Sequence, residues 1–314
     1  MNMETDNRAA SKSGQFFRET LPFLVLLIAA TAGVVFLARW MDARRPAPDA
    51  RLEEENLYFT GRAVRRVSLG FNGLVADWYW MRSLQYVGRK IDNLPENVAL
   101  DNLGQLNLKL LAPLLDTATT LDPEFMEPYE YAAMVLPGVD LPEAIRITKK
   151  GTDANPGAWR LYQYLGFIYW RQHDFKAASE AYGKGATLPG APIWMESMRA
   201  RMAAEGGSRN LAREIYGRMY NESEDKQVKD MARRRLLQVD SMDERDELRR
   251  LMNAYSSTSG HCPTSWRDLD NLLRAAKWKV DSTGAPLDPA GTPYLLVKDK
   301  CDVNLDWKSE VPSG

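Results

Sequence analysis

Histidine and cysteine are scarce, with two of each in 314 residues. Zinc sites and most acid–base catalysts draw on those side chains, so the shortage removes most designs of that kind. An excess of one charge is missing too. Forty-one basic against 42 acidic residues leave a net charge of −1, which withholds the broadly basic surface that nucleic acid requires. Glycine motifs for phosphate or dinucleotide binding are absent, and so is the serine elbow of hydrolases. What remains is an ordinary globular balance, 45% apolar and 26% charged. Neither a catalytic residue nor a cofactor or metal ligand set is expected from it.

One uncharged apolar run is present, TLPFLVLLIAATAGVVFLA from Thr20 to Ala38. At about 1.5 Å rise per residue it matches a hydrocarbon core of roughly 30 Å. With Trp40 at the headgroup level, residues 20–40 are expected to form a transmembrane helix, preceded by a disordered polar tail over 1–19. Ala30-Thr31-Ala32 also fits a cleavage site, so a removed signal peptide stands as the rival reading. Three basic residues (Arg8, Lys12, Arg18) precede the run and four (Arg39, Arg44, Arg45, Arg51) follow it, a count too even to orient it by the positive-inside rule. RRPAPDARLEEEN, with two prolines and mixed charge, reads as a linker within residues 41–61.

The middle of the chain repeats. Pro123, Pro156 and Pro189 are each 33 residues apart. Tyr129 and Tyr162, Ala133 and Gly166, and Ala144 and Ala177 keep the same offset. A period in the thirties with such spacing is the signature of a helical solenoid. In YQYLGFIYWRQHDFKAASEAYGKGATLP, the positions Tyr162, Leu165, Gly166 and Tyr169 are followed by Ala178, Tyr182, Gly185 and Pro189. This stretch resembles a tetratricopeptide repeat (TPR), in which small residues let two antiparallel helices approach and rings fill the space to the next pair. Residues 124–156 and 190–222 resemble weaker copies, and a fourth, degenerate pair is expected from Lys226 to Tyr255. The resemblance implies a TPR-like α-solenoid over 62–255 with a concave groove for peptide segments. Tyr131, Gln163, Phe167, Trp170 and Arg199 are the expected groove residues, placed beside the packing rings.

Two flanking regions differ. Leu69–Gly88 holds five rings, among them the adjacent Trp78, Tyr79 and Trp80. A helix is expected there with Asn72 as its cap and Gly88 as its end, paired with a mate from Asp101 to Leu121. Rings at adjacent positions cannot share one stripe. They either fill core on several sides or meet a partner or lipid headgroups, so Trp78, Tyr79 and Trp80 join the candidate contact residues. After Gly260, proline, glycine and aspartate punctuate short apolar runs, and TPYLLV and DVNLDW read as two strands. A small α+β module over 256–314 is expected. CPTSWRDL followed by LDPAGTPYLL is similar to the C-terminal part of type II secretion major pseudopilins. That resemblance implies an extracytoplasmic side and leaves calcium near Asp281, Asp288 and Asp302 as an alternative to plain turn aspartates. Cys262 and Cys301 bracket the module. In an oxidising compartment they would form a disulfide; in a reducing one they would be buried thiols.

The fold class expected is mainly α: a transmembrane helix, a TPR-like solenoid and a small α+β module. The function expected is a non-enzymatic scaffold in the inner membrane of a bacterial-type envelope. It would be single-pass, with the N-terminus cytoplasmic and the body periplasmic. Its partners would be other proteins of an envelope complex of secretion, pilus or respiratory type, with no nucleic acid and no small-molecule substrate. A permanent accessory subunit of a membrane complex is the alternative.

Overall fold

A computed structural model describes residues 22, 25–41, 44, 60–93 and 103–313. They fall in two units, Met1–Tyr58 and Phe59–Gly314. In the first, 25–41 is helical with every side chain exposed, and the Arg44 guanidinium stands 4.1 Å from the Trp40 ring centroid. Among the described residues, no helix is long and apolar enough to cross a membrane. Thr20, Leu21, Phe23 and Leu24 of the expected span lie outside them, as do residues 1–19 and most of the linker. The transmembrane helix is therefore without support from the structure.

The second unit is mainly helical. It begins with α1 (Gly61–Val67), α2 (Asn72–Asp92) and α3 (Leu111–Leu121). Two expectations about α2 need correction. Its cap position is Phe71, and Asn72 is its first helical residue, the amide oxygen of which accepts from the Ser68 hydroxyl. Gly88 lies inside the helix, which runs on to Asp92 with Arg89 and Lys90 in its last turn, where cations oppose the helix dipole. The mate is also shorter than expected. Leu103–Leu106 is a single tight turn, Asn107 sits at φ 48°, and α3 starts at Leu111. Pro113 explains the start: it is tolerated in a first helical turn but would clash inside a helix begun at Asp101.

Three helical pairs follow: α4 (Met126–Val135) with α5 (Leu141–Ala154), α6 (Trp159–Arg171) with α7 (Phe175–Ala186), and α8 (Trp194–Glu205) with α9 (Arg209–Glu222). The α6–α7 connection is three residues, with His173 at φ 58° and the Asp174 carboxylate accepting from the Ala177 amide at 3.0 Å. The pair is antiparallel. A Cβ at Gly166 would stand 2.7 Å from the Tyr182 ring, and one at Gly185 would stand 2.9 Å from the Tyr162 Cβ. One helix ascends as the other descends. The repeat is less regular than the prolines imply. Asp140, Asp174 and Ser208 precede the second helices at intervals of 34, and the buried alanines Ala144, Ala178 and Ala212 keep that spacing. The counterpart of Ala144 is thus Ala178; Ala177 is half-buried. The extra residue is absorbed by connections of unequal length, where no packing fixes the count.

The fourth pair is absent. Lys226–Ser259 is one helix, α10, capped by the Asp225 carboxylate on the Gln227 amide at 2.7 Å and closed by Gly260 at φ 77°. Its Ala232 and Val239 belong to the core shared with α8 and α9, and its Leu248 and Met252 to that of the C-terminal module. That module holds α11 (Asp270–Ala275) and two antiparallel strands, β1 (Leu295–Val297) and β2 (Asp302–Asn304), with Leu296 opposite Val303. Cys262 and Cys301 are disulfide-bonded, Cα to Cα 5.4 Å. The buried Tyr294 donates to the Ser241 hydroxyl and to the Glu244 carboxylate, both at 2.9 Å, so the strands are tied to α10.

Candidate partner-binding site

The first helices of the three pairs present one continuous face. Met134 from α4, Gln163, Tyr164 and Phe167 from α6, and Trp194 and Met198 from α8 line a cleft of about 370 Å³, floored by Ala133 and Tyr182. Met134 and Phe167, and Tyr131 and Tyr164, stand one 33-residue period apart, which is why they share the face. Large apolar groups are open to solvent: Met134 is 57% exposed, Phe167 44% and Trp194 40%. A compact core would cover them; a groove for an apolar segment leaves them available. Most of the lining is apolar, with the Gln163 amide as its polar handle.

The rings are held in place before anything binds. Trp194 meets Trp159 edge to face at 6.3 Å, and Phe167 meets Trp170 at 5.6 Å. Trp170 carries the Arg201 guanidinium at 5.7 Å, and Arg201 donates to Glu205 at 2.7 Å. Burial pushes the Tyr164 phenol up, the Glu130 charge adds to the shift and Arg160 opposes it. Burial pushes Tyr182, under the floor, up to about 12. Both phenols are neutral at physiological pH, so the groove offers ring faces and hydroxyls with no phenolate charge.

Of the expected groove residues, Gln163 and Phe167 line the cleft, and Trp170 adjoins it through Phe167. Tyr131 lies on the same helix as Met134 but packs on Trp80 at 5.3 Å. Arg199 departs from expectation. It lies against Gly183 and lines a separate cleft with Ser179, Lys184 and Leu211, because it faces α7 and α9 from α8. Tyr164, Met134, Trp194 and Met198 were not anticipated as lining; the 33-residue offset pointed from Tyr131 to Tyr164 and from Phe167 to Met134, while no such offset from an expected residue marks Trp194 or Met198. The three adjacent rings of α2 divide. Tyr79 is buried, Trp80 packs between Phe125 and Tyr131, and Trp78 is 53% exposed.

The aspartates of the C-terminal module are occupied by protein. Asp281 accepts from the Thr283 and Ala285 amides, Asp288 from the Ala290 and Thr292 amides, and Asp302 from Arg249 at 2.6 Å. Among the described residues no cluster of three or more His, Cys, Asp or Glu side chains is arranged to hold a metal ion. Comparison with protein-family models and with curated proteins finds no match, so the reading of this groove rests on its geometry.

Proposed function

We propose that the chain is a membrane-anchored, non-enzymatic scaffold of TPR type, whose groove holds apolar segments of other envelope proteins during assembly of a complex. The observation that carries this reading is the row of exposed apolar side chains along three successive first helices, Met134, Phe167 and Trp194. The support of Phe167 and Trp194 by neighbouring rings means that little of their side-chain freedom is lost on binding. The Cys262–Cys301 disulfide favours an oxidising compartment, hence a periplasmic body, a cytoplasmic N-terminus and an anchor within residues 20–40. Nucleic acid and small-molecule substrates have no place in this reading.

The alternative, a permanent accessory subunit of a membrane complex, draws on the exposed Trp78. Co-purification from native membranes in mild detergent separates the two. A scaffold yields substoichiometric envelope proteins that a salt wash releases and that Phe167→Ala with Trp194→Ala reduces at least tenfold. A stoichiometric complex indifferent to the groove substitutions replaces the scaffold by the accessory subunit.

A further inference from the structure

The α1–α2 end of the helical unit breaks two local rules at once. Leu69 sits at φ 50° in the turn between the helices, a conformation that asparagine or glycine adopts more cheaply, and its side chain is 86% exposed. Burial therefore gives nothing back for the unfavourable backbone. Around it Val67, Phe71, Leu74, Trp78 and Met81 are each more than half exposed. Leu74, Trp78 and Met81 fall at the i, i+4, i+7 positions of α2 and so form a stripe pointing to solvent. Between the helices Ala63, Val67, Leu74 and Trp78 line an apolar cleft of about 680 Å³. A local rule broken without compensation inside the fold points to an external contact.

The rim of this face says what the contact is. Residues 61–92 carry six basic residues and two carboxylates, Asp77 and Asp92, in a chain that is otherwise slightly acidic. Arg62, Arg65 and Arg66 are exposed on α1 and enter no ion pair among the described residues. Arg82 lies over the Trp78 ring at 5.2 Å. Exposed apolar groups on α2 and in the turn, exposed arginines on the adjoining α1 and an arginine over a tryptophan match the chemistry of an anionic bilayer surface. Position along the chain agrees. Only 22 residues separate Ala38, the end of the apolar run, from Gly61. Fully extended they reach at most about 75 Å, so an anchored chain holds α1 at high effective concentration over the bilayer.

We propose that the exposed apolar face of α1–α2, with its rim of Arg62, Arg65, Arg66 and Arg82, docks on the anionic headgroup surface of the membrane. The inference rests on the anchored reading above. Docking inserts Leu69, Phe71, Leu74 and Trp78 among the headgroups and sets the arginines against lipid phosphates.

The native cysteines are disulfide-bonded, so Leu74→Cys in the full-length chain gives a single spin-label site. The chain is reconstituted in vesicles of phosphatidylcholine with about 30% phosphatidylglycerol and, separately, of phosphatidylcholine alone. Docking predicts a label accessible to oxygen and shielded from a water-soluble nickel reagent in the anionic vesicles. It also predicts a return to aqueous accessibility in neutral vesicles or with Arg65→Glu and Arg66→Glu. A label that is water-accessible in both vesicle types, on chains that float with the vesicles, overturns the docking and leaves the anchor standing. A label shielded equally in neutral vesicles overturns the role of the arginines. Shielding from both reagents means a protein contact and overturns the lipid assignment. Chains that do not float overturn anchor and docking together.

Discussion

A Cβ at Gly166 would stand 2.7 Å from the ring of the buried Tyr182. Alanine at a helical glycine gains roughly 1 kcal/mol in propensity, so a small side chain is partly offset; valine is not. Gly166→Val is expected to destabilise the fold by about 1–3 kcal/mol through overpacking, read from urea unfolding. In a Tyr182→Leu background its cost should fall by more than half; a cost that stays the same would mean that the ring is not the obstacle. Asp116 offers a second test. Burial raises its carboxyl, but hydrogen bonds and charge from Lys150 and then Arg146 outweigh that and hold it below the ordinary carboxylate range. Lys150 Nζ donates to Asp116 at 3.0 Å and to the Thr119 and Thr120 hydroxyls at 2.9 and 2.6 Å. A depressed folded-state value stabilises above the unfolded value of about 3.9, and that stabilisation is lost as pH falls through and below it. Asp116→Asn should cost about 1–3 kcal/mol at pH 7 and flatten the acid side of the stability profile, as thermal unfolding between pH 2 and 7 would show. The glycine was legible in the sequence because motif spacing marks it. The aspartate was not, since its partners lie 30 and 34 residues away and meet it only when α5 stacks on α3.

At the scale of elements, α10 is the instructive misreading. The repeat pattern leads one to expect a helical pair from Lys226 to Tyr255, and Asp240-Ser241-Met242-Asp243 near its middle is polar. The helix continues because each polar group finds a partner. Arg213 pairs with Asp240 at 2.9 Å and with Asp243, while Arg209 pairs with Asp243 and Asp246 at 2.6 Å each. On another face, Ser241 and Glu244 meet Tyr294. None of these partners is close in sequence, so local reading sees only the polarity. The strands, by contrast, were readable, since Leu295–Val297 and Asp302–Asn304 lie within the short apolar runs that turn residues punctuate. The pairing of Cys262 with Cys301 was readable as well, with no other cysteine to compete.

For the whole molecule, the disulfide is the accessible lever. It closes a loop with a sequence separation of 39, worth about 3–4 kcal/mol on the chain-entropy account. Because α10 contributes to two cores, the loss should not stay local. Cys262→Ser with Cys301→Ser is expected to lower the midpoint of a single thermal transition, followed both by far-ultraviolet circular dichroism and by the tryptophans of the groove. Two separate transitions, with the groove unaffected, would show that the module folds independently. The continuity of α10 also fixes an azimuth. A helix turns about 100° per residue, so one residue added after Asp240 puts the two halves out of phase. Either Ala232 and Val239 keep their core while Asp243 and Asp246 turn away from Arg209 and Arg213 and the terminal module swings around the array, or those ion pairs and Tyr294 hold and Ala232 and Val239 leave theirs. Seven added residues, two turns, restore the bearing to within about 20° but displace the module by about 10 Å. The loops between repeats tolerate length changes of one residue, as the 33- and 34-residue spacings show; α10 is a phased shaft that does not.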